Sequence, residues 1–297
     1  MRRSRFAIVG SALVAAITLT AIAAPSAAAT PAVQPTVGMA KPAYYLSLGD
    51  SLAFGYSDVN ALAFAATAPS FDVTTFSGYT QALATSLGVQ ATNFSCPEET
   101  TTTMIHGQCQ GMIDAQQVAA AAGIPLPASD FQHTPYTGPQ LAAATAFLSH
   151  YRWWQRGIVT VSIGSDDVLP VAGACLGSVS CPALGPALKA MRTNLSTILT
   201  SLRRAAPLAT IVVLAPYNPF GFAYPVSNVL ALEVDLSIAG VALAHLDPVA
   251  DAFTPINVTD ADQHCTYVYY GCHGSADIHP TDAGYAVIAQ AFRTVLP

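Results

Sequence analysis

Two short segments at opposite ends of the 297-residue chain carry the residue types that acyl transfer needs. Gly49-Asp50-Ser51-Leu52 follows Ala43 to Leu48, a short apolar run rich in Tyr and Leu. Such a run reads as a buried strand breaking into a turn at Gly49, with Ser51 just past its carboxyl end. Asp277-Ile278-His279-Pro280 stands just ahead of the last helical stretch. A serine hydrolase requires a nucleophile at a sharp strand end, a histidine to take its proton, and donors aimed at the developing oxyanion. Either tetrapeptide alone is weak, because GDS on a turn is common by chance and a His before Pro is usually a cap. Their pairing across one alternating chain carries the information.

The elements that must position these residues follow from periodicity. A helix capped by Ser77 and stopped by Gly88 is expected over 77–87, then a strand over Ala91 to Phe94. Leu141, Ala144, Leu148 and Tyr151 recur at helical spacing after Pro139, and Ile158 to Ile163 gives a β-branched strand ending at Gly164. Leu184, Leu188, Met191, Leu195, Ile198 and Leu202 form one stripe of a long amphipathic helix within 182–206. Thr210 to Leu214 is the next strand, Val226 to Ala244 a helix, His245 to Val249 a weak strand and Thr281 to Leu296 a closing helix. Alternation of this kind implies a mostly parallel sheet covered on both faces, a three-layer α/β/α sandwich. Ligands in such sheets sit at the carboxyl strand ends, where Ser51, Cys96 and Ser165 fall.

Met1-Arg2-Arg3-Ser4-Arg5, the apolar stretch Phe6 to Ala24 and the small residues after Pro25 have the layout of a cleaved signal peptide over 1–29. An uncleaved anchor is the rival, since the stretch nearly reaches the roughly 20 residues of a membrane span; cleavage leaves no stable span and an extracellular protein. Residues 30–42 lack apolar period and read as a flexible leader, and 43–297 as one domain. Cleavage removes three of the 11 basic residues and none of the 17 acidic ones, leaving 8 against 17 and a net charge near −9. That balance argues against nucleic acid as a partner. Cys96 with Cys109, Cys175 with Cys181 and Cys265 with Cys272 form three local pairs, read as disulfides, although six cysteines allow 15 connectivities.

Tyr45 to Tyr56 resembles the first sequence block of the GDSL (SGNH) hydrolase family, Asn93 to Thr101 its second, Ile163-Gly164-Ser165-Asp166-Asp167 its third, and Asp277 to Tyr285 its last. The cysteine pairs resemble those of secreted actinobacterial members. The resemblance implies an SGNH-hydrolase, flavodoxin-like sandwich that hydrolyses acyl esters of small molecules or lipids as a monomer, without metal or cofactor. It further implies attack by Ser51, proton transfer through His279, and oxyanion donors from the Ser51 backbone, the second block at Glu98 and the third block at Gly164 and Asp166.

Three positions depart from the family pattern. Glu98 stands where Gly is usual; its N–H survives, but its side chain is expected to crowd the oxyanion and oppose its charge. Asp166 stands where Asn is usual, and an ionised carboxylate has no proton to donate, so it helps only if protonated. Asp277 lies two residues before His279 rather than three, leaving either Asp277 or a backbone carbonyl near Ala276 to orient the imidazole. A slow enzyme, or one favouring acid pH, is expected.

Other features carry plainer readings. His264-Cys265 and Cys272-His273 mimic a zinc pair but are read as a disulfide-closed loop, Asp166-Asp167 as a turn rather than a calcium site, and Trp153-Trp154 as core. His106, His133, His150 and His245 are read as surface or satisfied-core residues. The Ala- and Phe-rich stretch between Ser57 and Ser77 is a candidate wall of an acyl pocket. The rival functions are an acyl- or glycan-binding protein that has lost turnover, favoured by Glu98 and Asp166, and an esterase acting on acetylated sugars.

Overall fold

The computed structural model describes residues 41–297, so the expected signal peptide and the leader up to residue 40 lie outside the described residues. Five strands form one parallel sheet: β1 Tyr45–Gly49, β2 Ala91–Asn93, β3 Ile158–Ser162, β4 Thr210–Ala215 and β5 Val249–Asp251. Their spatial order is β2-β1-β3-β4-β5. This is the doubly wound flavodoxin-like order, in which the connections leave in opposite directions from β1 and β3 and open a crevice at the carboxyl ends of that pair.

The helices, in chain order, are α1 Ser51–Phe54, α2 Asp58–Ala66, α3 Tyr79–Leu87, α4 Thr101–His106, α5 Gln110–Ala121, α6 Gln140–Ser149, α7 Ser165–Ala172, α8 Leu184–Ala205, α9 Ser227–Ala244, α10 Phe253–Ile256, α11 Ala261–Tyr267 and α12 Asp282–Val295. Side chains alternate across a strand, and the two faces of the sheet accordingly feed two cores. Leu46 and Leu48 of β1, Val159 and Val161 of β3, and Ile211 and Val213 of β4 meet the α8 stripe from Leu184 to Leu202, with α6 and α9 beside it. Tyr45, Ile158, Val212 and Leu214 meet Tyr79 and Leu83 of α3 and Tyr285, Ile288 and Phe292 of α12. The result is the three-layer α/β/α sandwich. A third cluster, Phe54, Phe64, Phe71, Phe76, Leu126 and Phe131, lies outside the two sheet-facing cores.

α9 is long and apolar enough to cross a membrane, with a mean hydropathy of 1.5. Leu230, Val234, Ile238 and Ala242 along it are buried in the same core as α8 and β4.

Four local expectations are corrected. The N-cap of α3 is Gly78, not Ser77: its N–H donates to Gln81 Oε1 at 3.0 Å, and a Cβ there would strike the Gly55 backbone. The last strand starts at Val249, because Leu246 turns the chain with φ 60° and Asp247 is held by Arg203 before pairing begins. Trp153 and Trp154 are not core: they are 67% and 51% exposed in an edge-to-face pair, with Arg152 over the Trp154 ring. Finally, α4, α5 and α7 occupy stretches that periodicity leaves unassigned; of the 12 residues in α5 only Gly111 is buried, so no apolar stripe marks it.

Candidate active site

The turn after β1 is built from backbone constraints. Gly49 has φ 130°, and any side chain there would run into the Ser162 carbonyl of β3. Asp50 N–H donates to that carbonyl at 2.9 Å, while Asp50 Oδ1 accepts from Ser162 Oγ at 2.9 Å and from Leu52 N–H at 3.1 Å, capping α1. Ser51 is therefore the first residue of α1, where the helix supplies no acceptor for its N–H. Gln140, which the sequence did not single out, clamps the same turn: its Oε1 accepts from Gly49 N–H at 2.6 Å and its Nε2 donates to Gly49 O at 3.0 Å. No spacing rule connects residues 91 positions apart, and an amide opening a helix reads as an ordinary surface position.

His279 arrives from the other end of the chain. Its Nε2 lies 3.0 Å from Ser51 Oγ, and its Nδ1 lies 2.6 Å from Asp277 Oδ1. A carboxylate at Nδ1 requires the hydrogen on that nitrogen, which leaves Nε2 as the acceptor facing the serine. Asp277 Oδ1 also accepts from His279 N–H at 3.0 Å, and Oδ2 from Asp58 N–H at 2.8 Å. Burial penalises the Asp277 carboxylate, but these hydrogen bonds outweigh it and hold its pKa below the usual value. Tyr217 donates to the Ile278 carbonyl at 2.5 Å, and the Tyr56 ring lies tilted beside the imidazole with centroids 4.9 Å apart. The Cys265–Cys272 disulfide closes the loop whose Tyr269 N–H donates to the His279 carbonyl at 3.2 Å. Cys96–Cys109 and Cys175–Cys181 are also bridged.

At the expected oxyanion positions, Glu98 has φ 62°, the left-handed conformation that glycine adopts without strain. Its side chain is exposed on the wall of a cleft that Ser51 and His279 also line, and partial burial of the carboxylate together with the neighbouring Asp114 raises its pKa. Gly164, φ 116°, caps α7 and places Asp166 and Asp167 in the first turn. Asp167 does not face the serine; its carboxylate binds Thr101 N–H at 2.8 Å and the Thr101 hydroxyl. Asp166 Oδ2 is buried without a hydrogen-bond partner. Burial, then the charges of Asp50, Glu98, Asp167 and Glu99, push its pKa well above the carboxylate range. The shift favours the neutral acid, the form of Asp166 that has a proton to donate.

Burial raises other acids as well: Asp50 and Glu99 to about 7, and Asp235 of α9 to about 8, with Asp251 adding to the last. Each keeps a proton in the folded state that the unfolded chain releases nearer pH 4. Between about pH 4 and pH 8 the native state thus binds more protons, and stability falls as pH rises. Thermal unfolding is expected to show Tm at pH 5 at least about 5 °C above Tm at pH 8; a flat or rising profile would count against these buried acids.

The remaining histidines are accounted for locally. His264 Nε2 lies 3.0 Å from the Tyr270 carbonyl and its ring stacks on Phe222, while His133 Nε2 lies 2.9 Å from the Phe54 carbonyl and His245 Nε2 2.9 Å from Ser196 Oγ. His106, His150 and His273 are exposed.

Two clefts open on Ser51 and His279. One, of about 90 Å³, runs between α7 and α9 past Leu169, Leu230 and Val234. The other, of about 600 Å³, runs between α2 and α5 past Phe64, Phe71, Phe76 and Ala115. The stretch between Ser57 and Ser77 does line a pocket wall, through α2 and the aromatic cluster.

Among solved structures, the chain is similar to phospholipase A1 from Streptomyces albidoflavus NA297, with TM-score 0.52 and 14% identity over 85% of this chain and 98% of that one. It is also similar to the extracellular lipase from Streptomyces rimosus, with TM-score 0.51 and 16% identity over 85% and 99%. At these identities the likeness concerns the fold. No curated protein matches the chain. The model of the GDSL-like Lipase/Acylhydrolase family matches residues 47–287, a span that opens in β1 and closes in α12 and so contains both Ser51 and His279. The chain belongs to the GDSL-like Lipase/Acylhydrolase family.

Proposed function

We propose that the protein is a secreted serine esterase or lipase that hydrolyses carboxylic esters through an acyl-enzyme on Ser51. The observation that carries this reading is the continuous relay of 3.0 Å from Ser51 Oγ to His279 Nε2 and 2.6 Å from His279 Nδ1 to Asp277. Ser51 Oγ attacks the ester carbonyl as His279 Nε2 takes its proton. The oxyanion is met by the N–H of Ser51, the N–H of Glu98 and the acid O–H of Asp166. Collapse expels the alcohol, which takes the proton from His279. Water then repeats the sequence on the acyl-enzyme, with His279 as base, and frees the acid and Ser51. Asp277 keeps the imidazole in the tautomer and orientation this requires.

Three disulfides support export to an oxidising compartment. The test is hydrolysis of p-nitrophenyl esters from acetyl to palmitoyl by the purified protein beside Ser51→Ala. Serine-dependent turnover is expected. Folded protein with no turnover above that of Ser51→Ala would instead leave an acyl- or glycan-binding protein on a hydrolase scaffold.

A further inference from the structure

The two clefts are separate except where they meet, and both are bounded there by Ser51, Asp166, Ile278 and His279. An ester bond at Ser51 therefore has an apolar channel leading away on each side. On the α7–α9 side the walls include Val168, Leu169, Leu184, Leu230 and Val234; on the α2–α5 side they include Phe64, Phe71, Phe76, Leu126 and Phe131. A site for a short acyl group, or for an ester of a polar alcohol, needs only one such channel. The carboxylic acids on the walls are Asp50, Asp166 and Asp235 in the narrow cleft, and Asp166, Glu98 and Asp114 in the wide one. No Lys or Arg among the described residues lines either cleft, so a phosphate or free carboxylate on the substrate would find no guanidinium or ammonium partner.

Resting on the esterase reading above, we infer that the substrate is an uncharged ester bearing an apolar chain on both the acyl and the alcohol side, one chain lying in each cleft. A wax-type ester or a neutral acylglycerol has this chemistry. A phospholipid with an anionic headgroup does not.

Each methylene withdrawn from water is worth about fourfold in affinity, so both arms contribute measurably. The test crosses acyl length against alcohol length with four substrates below their aggregation limits: ethyl acetate, ethyl octanoate, octyl acetate and octyl octanoate. Lengthening either side is expected to raise kcat/KM at least about tenfold, and the two effects to multiply. Ala231→Trp, at the narrow cleft, and Ala115→Trp, at the wide one, are each expected to flatten the response to one arm, a different arm for each. Dioctanoylglycerol is expected to exceed dioctanoylphosphatidylglycerol by at least about tenfold.

Response to only one side, flattening of the same arm by both variants, or preference for the anionic lipid would overturn the inference while leaving the esterase standing. Absence of all ester hydrolysis would strike the esterase reading itself. In that case, binding to Ser51→Ala still decides the clefts: dihexyl ketone is expected to bind at least about tenfold more tightly than methyl hexyl ketone. Equal affinity would overturn the two-armed site.

Discussion

His279→Ala is expected to lower kcat/KM for p-nitrophenyl butyrate by about ten-thousand-fold or more, with far-UV circular dichroism unchanged. The imidazole is the sole base within hydrogen-bonding distance of Ser51 Oγ among the described residues, and the proposed mechanism uses it in both half-reactions. Asp277→Asn is expected to cost about a thousand- to ten-thousand-fold, although the change is nearly isosteric. Asparagine keeps one acceptor oxygen, which can still receive Asp58 N–H, while the amide nitrogen in place of Oδ1 cannot accept from His279 N–H. What it removes is the carboxylate that fixes the hydrogen on Nδ1; with an amide there, the imidazole can present a hydrogen to Ser51 instead of a lone pair. Loss in kcat with little change in KM is the signature of this role. A loss confined to KM, or a deficit under about tenfold, would assign the carboxylate to the loop's shape alone.

Asp166 carries the second large effect. In the proposed mechanism Asp166 donates a proton to the oxyanion, so activity is expected to fall as pH rises through its raised pKa. Asp166→Ala is expected to lower kcat by about a hundred- to a thousand-fold, the loss typical of one oxyanion donor. Asp166→Asn supplies N–H donors that do not titrate. It should abolish the alkaline decline and exceed the wild type at pH 9, because it also removes one acid from a site crowded with Asp50, Glu98, Glu99 and Asp167. Profiles of kcat against pH for the three proteins check this. If the wild type and Asp166→Asn decline together on the alkaline side, Asp166 is not the titrating donor.

Much of the scaffold was legible because strong periodicity and burial coincide. The six predicted apolar residues of α8 are all buried against the sheet, and the carboxyl ends of β1, β3 and β4 fall within a residue of where they are expected. The serine and histidine segments were legible because strand end and helix start bracket them. What escaped depends on contacts between distant residues. Gln140 acts on Gly49 across the β1–α6 junction, and the raised pKa values of Asp50, Glu99 and Asp166 follow from burial, which residue type alone does not report. Glu98 shows the same limit in its backbone: a φ of 62° keeps the conformation of a glycine, which residue type does not report. The pair Trp153-Trp154 inverted its expectation because it lies in the loop between α6 and β3, where no helix covers it.

The central claim is that Ser51 is the nucleophile, and covalent capture reads it directly. Purified protein is treated with a fluorophosphonate, then digested and mapped by mass spectrometry while residual esterase activity is followed. The account requires one adduct per chain, on the peptide containing Ser51, formed in step with loss of activity and absent or strongly slowed in His279→Ala. Inactivation with the adduct on another residue, or full activity retained after Ser51 is modified, would contradict it.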